Sequence, residues 1–276
     1  MQKLSLVDET FDPNLTFEYN LSIRLTPDGF SFSMLDTLQN KVVYLFYQEL
    51  FDSKPEFVLK HLQTIYEESD LINLVYKRTV VLLANSNKLQ LIPSFIFADD
   101  EIDQYQQLVF SRIASYHTEC FNLQNTDYKL VLSTPKIIRS FLGEKHSDAV
   151  FMPDLINWEK QLGNRSNLAF VSIAKREVFI LLYDIEGKLC SFNSYPWYQE
   201  SDLLYFILGS IKNQGMATEH VLLSGIVNKF SYIYHQLKSY FKRVEIKDRS
   251  KEIYYSYLFD KLPDARFIDL FSSLNI

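Results

Sequence analysis

Few side chains in this sequence stand at a spacing that could do chemistry. His117-Thr118-Glu119-Cys120 gathers three metal-capable residues, but a tetrahedral site needs four ligands and no second cluster lies near in sequence. A surface His beside a buried Cys is the preferred reading. Asp99, Asp100, Glu101 and Asp103 form an acidic run at the expected start of a helix, where attraction to the helix dipole accounts for it. Neither the G-x-S-x-G of a nucleophile elbow nor the G-x-x-x-x-G-K of a phosphate loop occurs. With only seven glycines, a mononucleotide cradle built from backbone amides is hard to place. Lys229 to Lys251 mixes cations with aromatics, the ingredients of stacking and charge contacts to nucleic acid. Its aromatics fall at helical core spacing, and Glu245 and Asp248 dilute the charge, so nucleic-acid binding is not expected. Ser194-Tyr195-Pro196-Trp197-Tyr198 and Tyr254-Tyr255-Ser256-Tyr257 are candidate partner surfaces, because exposed Tyr and Trp are frequent interface anchors. Packing between two domains explains them equally well.

The whole chain sets the frame for these residues. Its 276 residues allow two domains or one large one. A hydrophobic share of 47% supplies a core and excludes a disordered chain. A net charge of −6 without a basic tail argues against a general nucleic-acid binder. Cys120 and Cys190, the only cysteines, read as two reduced, buried thiols rather than a disulfide framework. The N-terminal stretch has no apolar run of signal-peptide length, and no window approaches the roughly 20 apolar residues that span a bilayer. The expectation is a cytoplasmic protein without membrane insertion.

Hydrophobic periodicity then predicts the elements. Leu21, Ile23 and Leu25 alternate with polar neighbours, as do Phe30, Phe32 and Met34, and Val42 to Tyr47 completes a three-stranded meander. Thr26-Pro27-Asp28-Gly29 is a turn in which Pro presets one φ and Gly permits a positive one. A helix follows, with Ser53 as N-cap and Phe57, Val58, Leu62, Ile65 and Tyr66 as its apolar stripe. Thr79 to Ala84 is a continuous apolar run, expected as a parallel strand buried on both faces. Asp99 and Asp100 cap the next helix, which turns Ile102, Tyr105, Leu108, Val109 and Ile113 inward. Strands run from Cys120 to Thr134 around a turn at Asn125–Asp127, with Lys129 to Ser133 central. Helices start at Pro135 and Pro153. Gly163 to Asn167 is the boundary the composition favours. After it, Leu168 to Tyr195 repeats the strand-turn-strand-turn-strand pattern of Leu21 to Gln48, with Asp184–Lys188 matching the turn at Asp36–Lys41. Ser201 caps a helix, His220 to Leu223 is a buried strand, and Phe230, Ile233, Tyr234 and Leu237 mark a helix face. Phe241 to Ile246 is the last strand. Phe267, Leu270, Phe271 and Leu274 make an apolar terminal helix that must dock, with the first half as its expected seat. The expected domains are 1–163 and 164–276, with the helix at about 264–276 returning to the first.

Two copies of meander, helix, strand, helix, strand resemble the plan of the actin-like ATPase superfamily, in which two ribonuclease-H-like domains flank a nucleotide cleft. The pattern is similar to pilus- and secretion-assembly members. More closely, it resembles an uncharacterised bacterial family, a domain of unknown function assigned to the actin-like fold. The resemblance covers roughly residues 15 to 250. It implies an α/β fold of two mixed sheets, each opening with an antiparallel meander and flanked by helices.

Active members carry an Asp, a Gly and a Ser or Thr in the turn joining the first two strands of each domain. Backbone N–H groups freed by Gly approach the phosphates there, and the carboxylate holds Mg²⁺ through water. Here the first turn, Arg24 to Gly29, has one Asp and one Gly in the order of an ordinary β-turn. The second, Ser172 to Glu177, has neither, and Lys175 and Arg176 read as solvated surface. Val221-Leu222-Leu223-Ser224-Gly225-Ile226 matches the strand and first Gly of the superfamily's adenosine motif. The cofactor-binding residues that the resemblance implies are therefore Gly29, Lys175, Ser224 and Gly225, should the cleft hold nucleotide. A ribonuclease-H-type nuclease is disfavoured, because Leu21–Leu25 and Leu168–Ile173 contain no acid to hold two metals. Asp36 and Asp184 sit at strand ends, where Asp is ordinary. The resulting expectation is a non-catalytic assembly scaffold with a protein partner, a degenerate cleft, no cofactor and no catalytic or metal residues. The alternative is an ATP-binding or ATP-hydrolysing protein, loaded with ATP and Mg, whose phosphate loops are altered.

Overall fold

In the computed structural model, residues 3–50, 54–84, 89–98, 101–109, 115–124, 126–163, 165–262 and 265–275 are described. Ser53, Asp99, Asp100, Ile113, Asn125 and Asn164 lie outside them, as do the side chains of Asp103, Leu108 and Val109. The alternating segments near the start form β1 (Lys3–Val7), β2 (Tyr19–Thr26), β3 (Gly29–Asp36) and β4 (Lys41–Glu49). α1 (Pro55–Glu68) follows, burying Val58, Leu62, Ile65 and Tyr66 while Phe57 turns to solvent at 48% exposure. β5 (Arg78–Leu83) lies parallel to β2, with Val81 opposite Ile23.

The next segment leaves this sheet. β6 (Leu89–Pro93), α2 (Ile102–Val109), β7 (Tyr116–Asn122) and β8 (Tyr128–Pro135) build a separate three-stranded antiparallel sheet in the order β6-β8-β7. β8 is central, as its apolar run predicts, but central to a small sheet of its own. α3 (Lys136–Lys145) then leads to β9 (Val150–Pro153), which joins β5 in parallel. α4 (Asp154–Gln161) starts directly after Pro153.

The second half gives β10 (Leu168–Ile173), β11 (Glu177–Tyr183), β12 (Leu189–Pro196), α5 (Glu200–Asn213), β13 (His220–Gly225), α6 (Tyr232–Tyr240) and β14 (Arg243–Ile246). Gln199, not Ser201, is the N-cap of α5, in a capping box with Asp202. Phe230 precedes α6 and is 91% exposed, so it belongs to no helix face. Cys120 and Cys190 stand outside any disulfide, half-buried on β7 and β12 rather than fully buried. Toward the end lie the short β15 (Tyr254–Tyr255) and α7 (Ile268–Ser272), each followed by a 3-10 turn, Tyr257–Lys261 and Ser273–Asn275.

The second sheet runs β12-β11-β10-β13-β14, and the first contains β4-β3-β2-β5-β9, the same order. The first is widened by β1 and by β15, both paired with β4. The last helix of each half crosses to the other. Leu155 and Trp158 of α4 pack with Phe170, Phe179 and Leu181 of the second sheet, the indole 5.4 Å from Phe170 and 5.5 Å from Phe179. Leu270 and Phe271 of α7 pack with Leu35, Val42 and Leu45 of the first. Burying each such side chain contributes about 1.5–3 kcal/mol, so neither sheet has a complete core without the other half's helix.

α1 and α3 cover the opposite face of the first sheet and meet through a buried polar contact, Tyr66 Oη to His146 Nε2 at 2.9 Å. Burial, helped by the Lys145 charge, pushes the imidazole down to about 4. The unfolded chain takes up this proton near pH 6.5, whereas the folded protein resists it until about pH 4. The contribution is therefore fully present above pH 6.5 and is lost as pH falls to 4, by roughly 3 kcal/mol in all. In urea unfolding between pH 7 and 4, wild type should lose this increment relative to His146→Gln, whose side chain does not titrate. Parallel curves for the two proteins would refute it.

Candidate functional site

The hairpin turns β2–β3 and β10–β11 face each other across a cleft of about 280 Å³. That is just under the ~300–1,000 Å³ of most small-molecule sites. Gly29 and Lys175 line it from the two turns, and Gly225 lines it from the end of β13. Three of the four sequence-predicted residues therefore share one cleft. The fourth, Ser224, is fully buried beside Ser172 in the sheet and does not line it.

Four backbone donors of the two turns are already used. Thr26 Oγ1 accepts from Asp28 N at 3.2 Å and Gly29 N at 3.0 Å. Across the cleft, Lys175 N donates to Asp28 Oδ2 at 2.5 Å, and Ala174 N donates to Glu177 O at 2.8 Å. Lys175 Nζ pairs with Glu49 Oε1 at the end of β4, so both groups of Lys175 that could meet a phosphate are held by carboxylates of the first half. Burial raises the Asp28 pKa, against the pull of the Lys175 N–H and of Arg176 and Arg24. Its Oδ1 is buried without a hydrogen bond.

The two glycines have packing reasons. Gly29 does not take the positive φ expected of it. A Cβ there would lie 2.6 Å from the Tyr47 ring and 2.8 Å from Gln48 O. Gly225 has φ +88°, and its Cβ would lie 2.0 Å from Ile173 O, where β13 runs against β10. Only Gly allows that approach.

Arg24 on β2 also lines the cleft, although its residue type and spacing match no phosphate or metal motif. Its guanidinium grips Asp154 of α4 with Nε at 3.1 Å from both carboxylate oxygens and Nη2 at 2.7 Å from Oδ2. The same Nη2 lies 3.0 Å from Asp269 Oδ2 of α7. Each acid lies in the first turn of its helix, where the dipole favours negative charge. The paired carboxylates hold Arg24 well above its ordinary pKa despite its burial. A signal was available: Ser22 and Arg24 are the polar positions of an otherwise apolar alternation, and both find partners on or next to α7.

The remaining candidates resolve simply. Glu119 pairs with Arg139 at 3.4 Å, and among the described residues no group of three His, Cys, Asp or Glu could hold a metal. Asp36 and Asp184 accept backbone N–H groups of their own turns. Tyr195 stacks on Phe206 at 4.4 Å and Trp197 donates to Ala174 O at 2.9 Å, so both pack within the second half, while Tyr198 is 90% exposed.

Two sheets of one strand order, crossing helices and a cleft between the first hairpins define an actin-like ATPase fold. A Bacteroides thetaiotaomicron protein with that fold and unknown function is 22% identical to the chain, with a TM-score of 0.77 over 97% of this chain and 99% of that one. A chain of the PilM–PilN type IV pilus biogenesis complex is 10% identical, with a TM-score of 0.57 over 93% and 98%. The cytoplasmic domain of EpsL, an inner-membrane component of the type II secretion system of Vibrio cholerae, is 11% identical, with a TM-score of 0.50 over 93% and 94%. No curated protein matches the chain. Within this fold class, the chain belongs to the family described as Protein of unknown function (DUF3822), which it matches over residues 8–244.

Two substitutions test the cleft's construction by urea unfolding. Gly225→Ala should cost at least ~2 kcal/mol, from the left-handed backbone and the clash with Ile173 O. A loss under ~0.5 kcal/mol, the range of a neutral surface change, would refute the packing account. Arg24→Met should cost about 3–5 kcal/mol, because it strands two buried carboxylates. A change within ~1 kcal/mol, the worth of an exposed pair, would show that the acids are not held by Arg24.

Proposed function

We propose that the chain is a cytoplasmic, non-catalytic member of the actin-like fold that works through protein contacts, as part of an assembly. The observation that carries this reading is the occupancy of the two turns. The amides of Asp28, Gly29, Ala174 and Lys175, and one donor of the Lys175 ammonium, groups that a nucleotide's phosphates would need there, are engaged by Thr26, Glu177, Asp28 and Glu49. Equal strand order in the two sheets supports an internal duplication whose ligand turns have lost their use. The partner class is suggested by similar folds in the PilM–PilN complex and in EpsL. Among the described residues, no helix is long and apolar enough to cross a membrane.

A second reading, an ATP-binding protein with altered loops, is favoured by one observation: Gly29, Lys175 and Gly225 do line a single cleft. One titration separates the two. In thermal unfolding with millimolar Mg·ATP, set against magnesium chloride of matched ionic strength, the scaffold reading expects no shift. Stabilisation by several degrees that disappears in Lys175→Ala would replace it with the ATP-binding reading. Lys175 suits this control because its side chain is half-exposed, whereas a substitution at Gly225 would perturb the sheet itself.

A further inference from the structure

A second cavity, of about 650 Å³, opens where the connector from β14 to β15 passes α4 and α7. It lies within the ~300–1,000 Å³ range of small-molecule sites. Four cations line it: Lys160 from the end of α4, and Lys247, Arg249 and Lys251 from the connector. Among the described residues, no carboxylate pairs with any of the four within 4.0 Å. The two acids on the lining, Asp248 and Glu252, are exposed.

Two of these cations are half-buried without a carboxylate in contact. Among the described residues, Lys247 Nζ reaches only the neutral amide oxygen of Gln161, and it sits 5.7 Å from the Phe170 ring centroid. An ammonium has three donors, so this leaves two to place. Burial lowers its pKa, with the more distant Asp269 opposing. Arg249 gives Nη2 to Phe259 O at 2.7 Å and to Leu262 O at 3.4 Å, while its Nε is buried with no hydrogen-bond partner. The Arg249 guanidinium also lies over the Tyr255 ring at 5.5 Å, and the unused donors of these half-buried cations are suited to charge-assisted hydrogen bonds with an anion. Ile253, Tyr255 and Ile268 add an apolar wall, giving the mix of apolar surface and few convergent polar groups that small ligands use.

We propose that this cavity is the binding site of a small multivalent oxyanion, held by Lys160, Lys247, Arg249 and Lys251. Phosphate and carboxylate groups share that chemistry, and two probes distinguish them. The full chain is unfolded thermally with pyrophosphate or citrate, each against potassium chloride of equal ionic strength. The expected result is a saturable rise in midpoint with at least one probe. Pyrophosphate alone points to a phosphorylated ligand, and citrate alone to a polycarboxylate. Affinity should weaken about tenfold or more in Lys160→Ala/Lys251→Ala, both at exposed positions that do not threaten folding. Lys247→Met should abolish the response, and Lys175→Ala in the cleft should leave it intact. The proposal is overturned if neither probe stabilises beyond chloride, if the double variant responds like wild type, or if Lys175→Ala removes the response.

Discussion

Arg24 is the point at which the two halves are tied. A cation inside a sheet is stable only when its charge is met, and here two helix starts meet it. The acids come from α4 and α7, the helices that each half gives to the other. Neutral contacts reinforce the junction: Ser22 Oγ lies 2.5 Å from Ser273 Oγ, Asn20 donates to Leu274 O, and Asn157 donates to Asp269 O. Apolar packing covers the sheets, but it is non-directional. The hydrogen bonds around Arg24 fix where along β2 the crossing helices sit, and hence how far apart the two hairpin turns lie.

That spacing explains the cleft. The turns are near enough for Lys175 N–H to reach Asp28 and for Lys175 Nζ to reach Glu49. The Lys175 side chain is half-exposed, so its ion pair contributes at most about 1 kcal/mol. Its importance is geometric, since it fills the place where an incoming anion would have to compete. Thr26 does the same for the first turn by using its hydroxyl on the amides of Asp28 and Gly29.

Much of this fold is legible in the chain, for reasons that differ by element. Period-two alternation in Leu21–Leu25 and Phe30–Met34 reports a half-buried sheet directly, and the unbroken run of Thr79 to Ala84 reports a strand covered on both faces. Sheet membership is another matter. Lys129 to Ser133 reads as a central strand, but nothing local says that it is central to a sheet of three. Helix ends depend on side-chain geometry: Gln199 caps α5 because Asp202 can reach back to it, although Ser201 has the more usual residue type. At the cleft, the sequence shows that the usual phosphate residues are missing, but not what replaces them. Asp28 to Lys175 and Glu49 to Lys175 are contacts across 147 and 126 positions, a separation no spacing rule can see. Arg24 was visible as an isolated cation in an apolar strand, and only its two partners needed the structure.

The crossing helices also set an order of events during synthesis. Ser22 and Ser273, which touch in the folded protein, are separated by 251 positions. The face of β3 and β4 that receives Leu270 and Phe271 therefore leaves the ribosome long before the side chains that cover it. At about 5–20 residues per second, that apolar face stays uncovered for tens of seconds. For that interval the chain carries the exposed apolar surface that makes incomplete folds prone to aggregate.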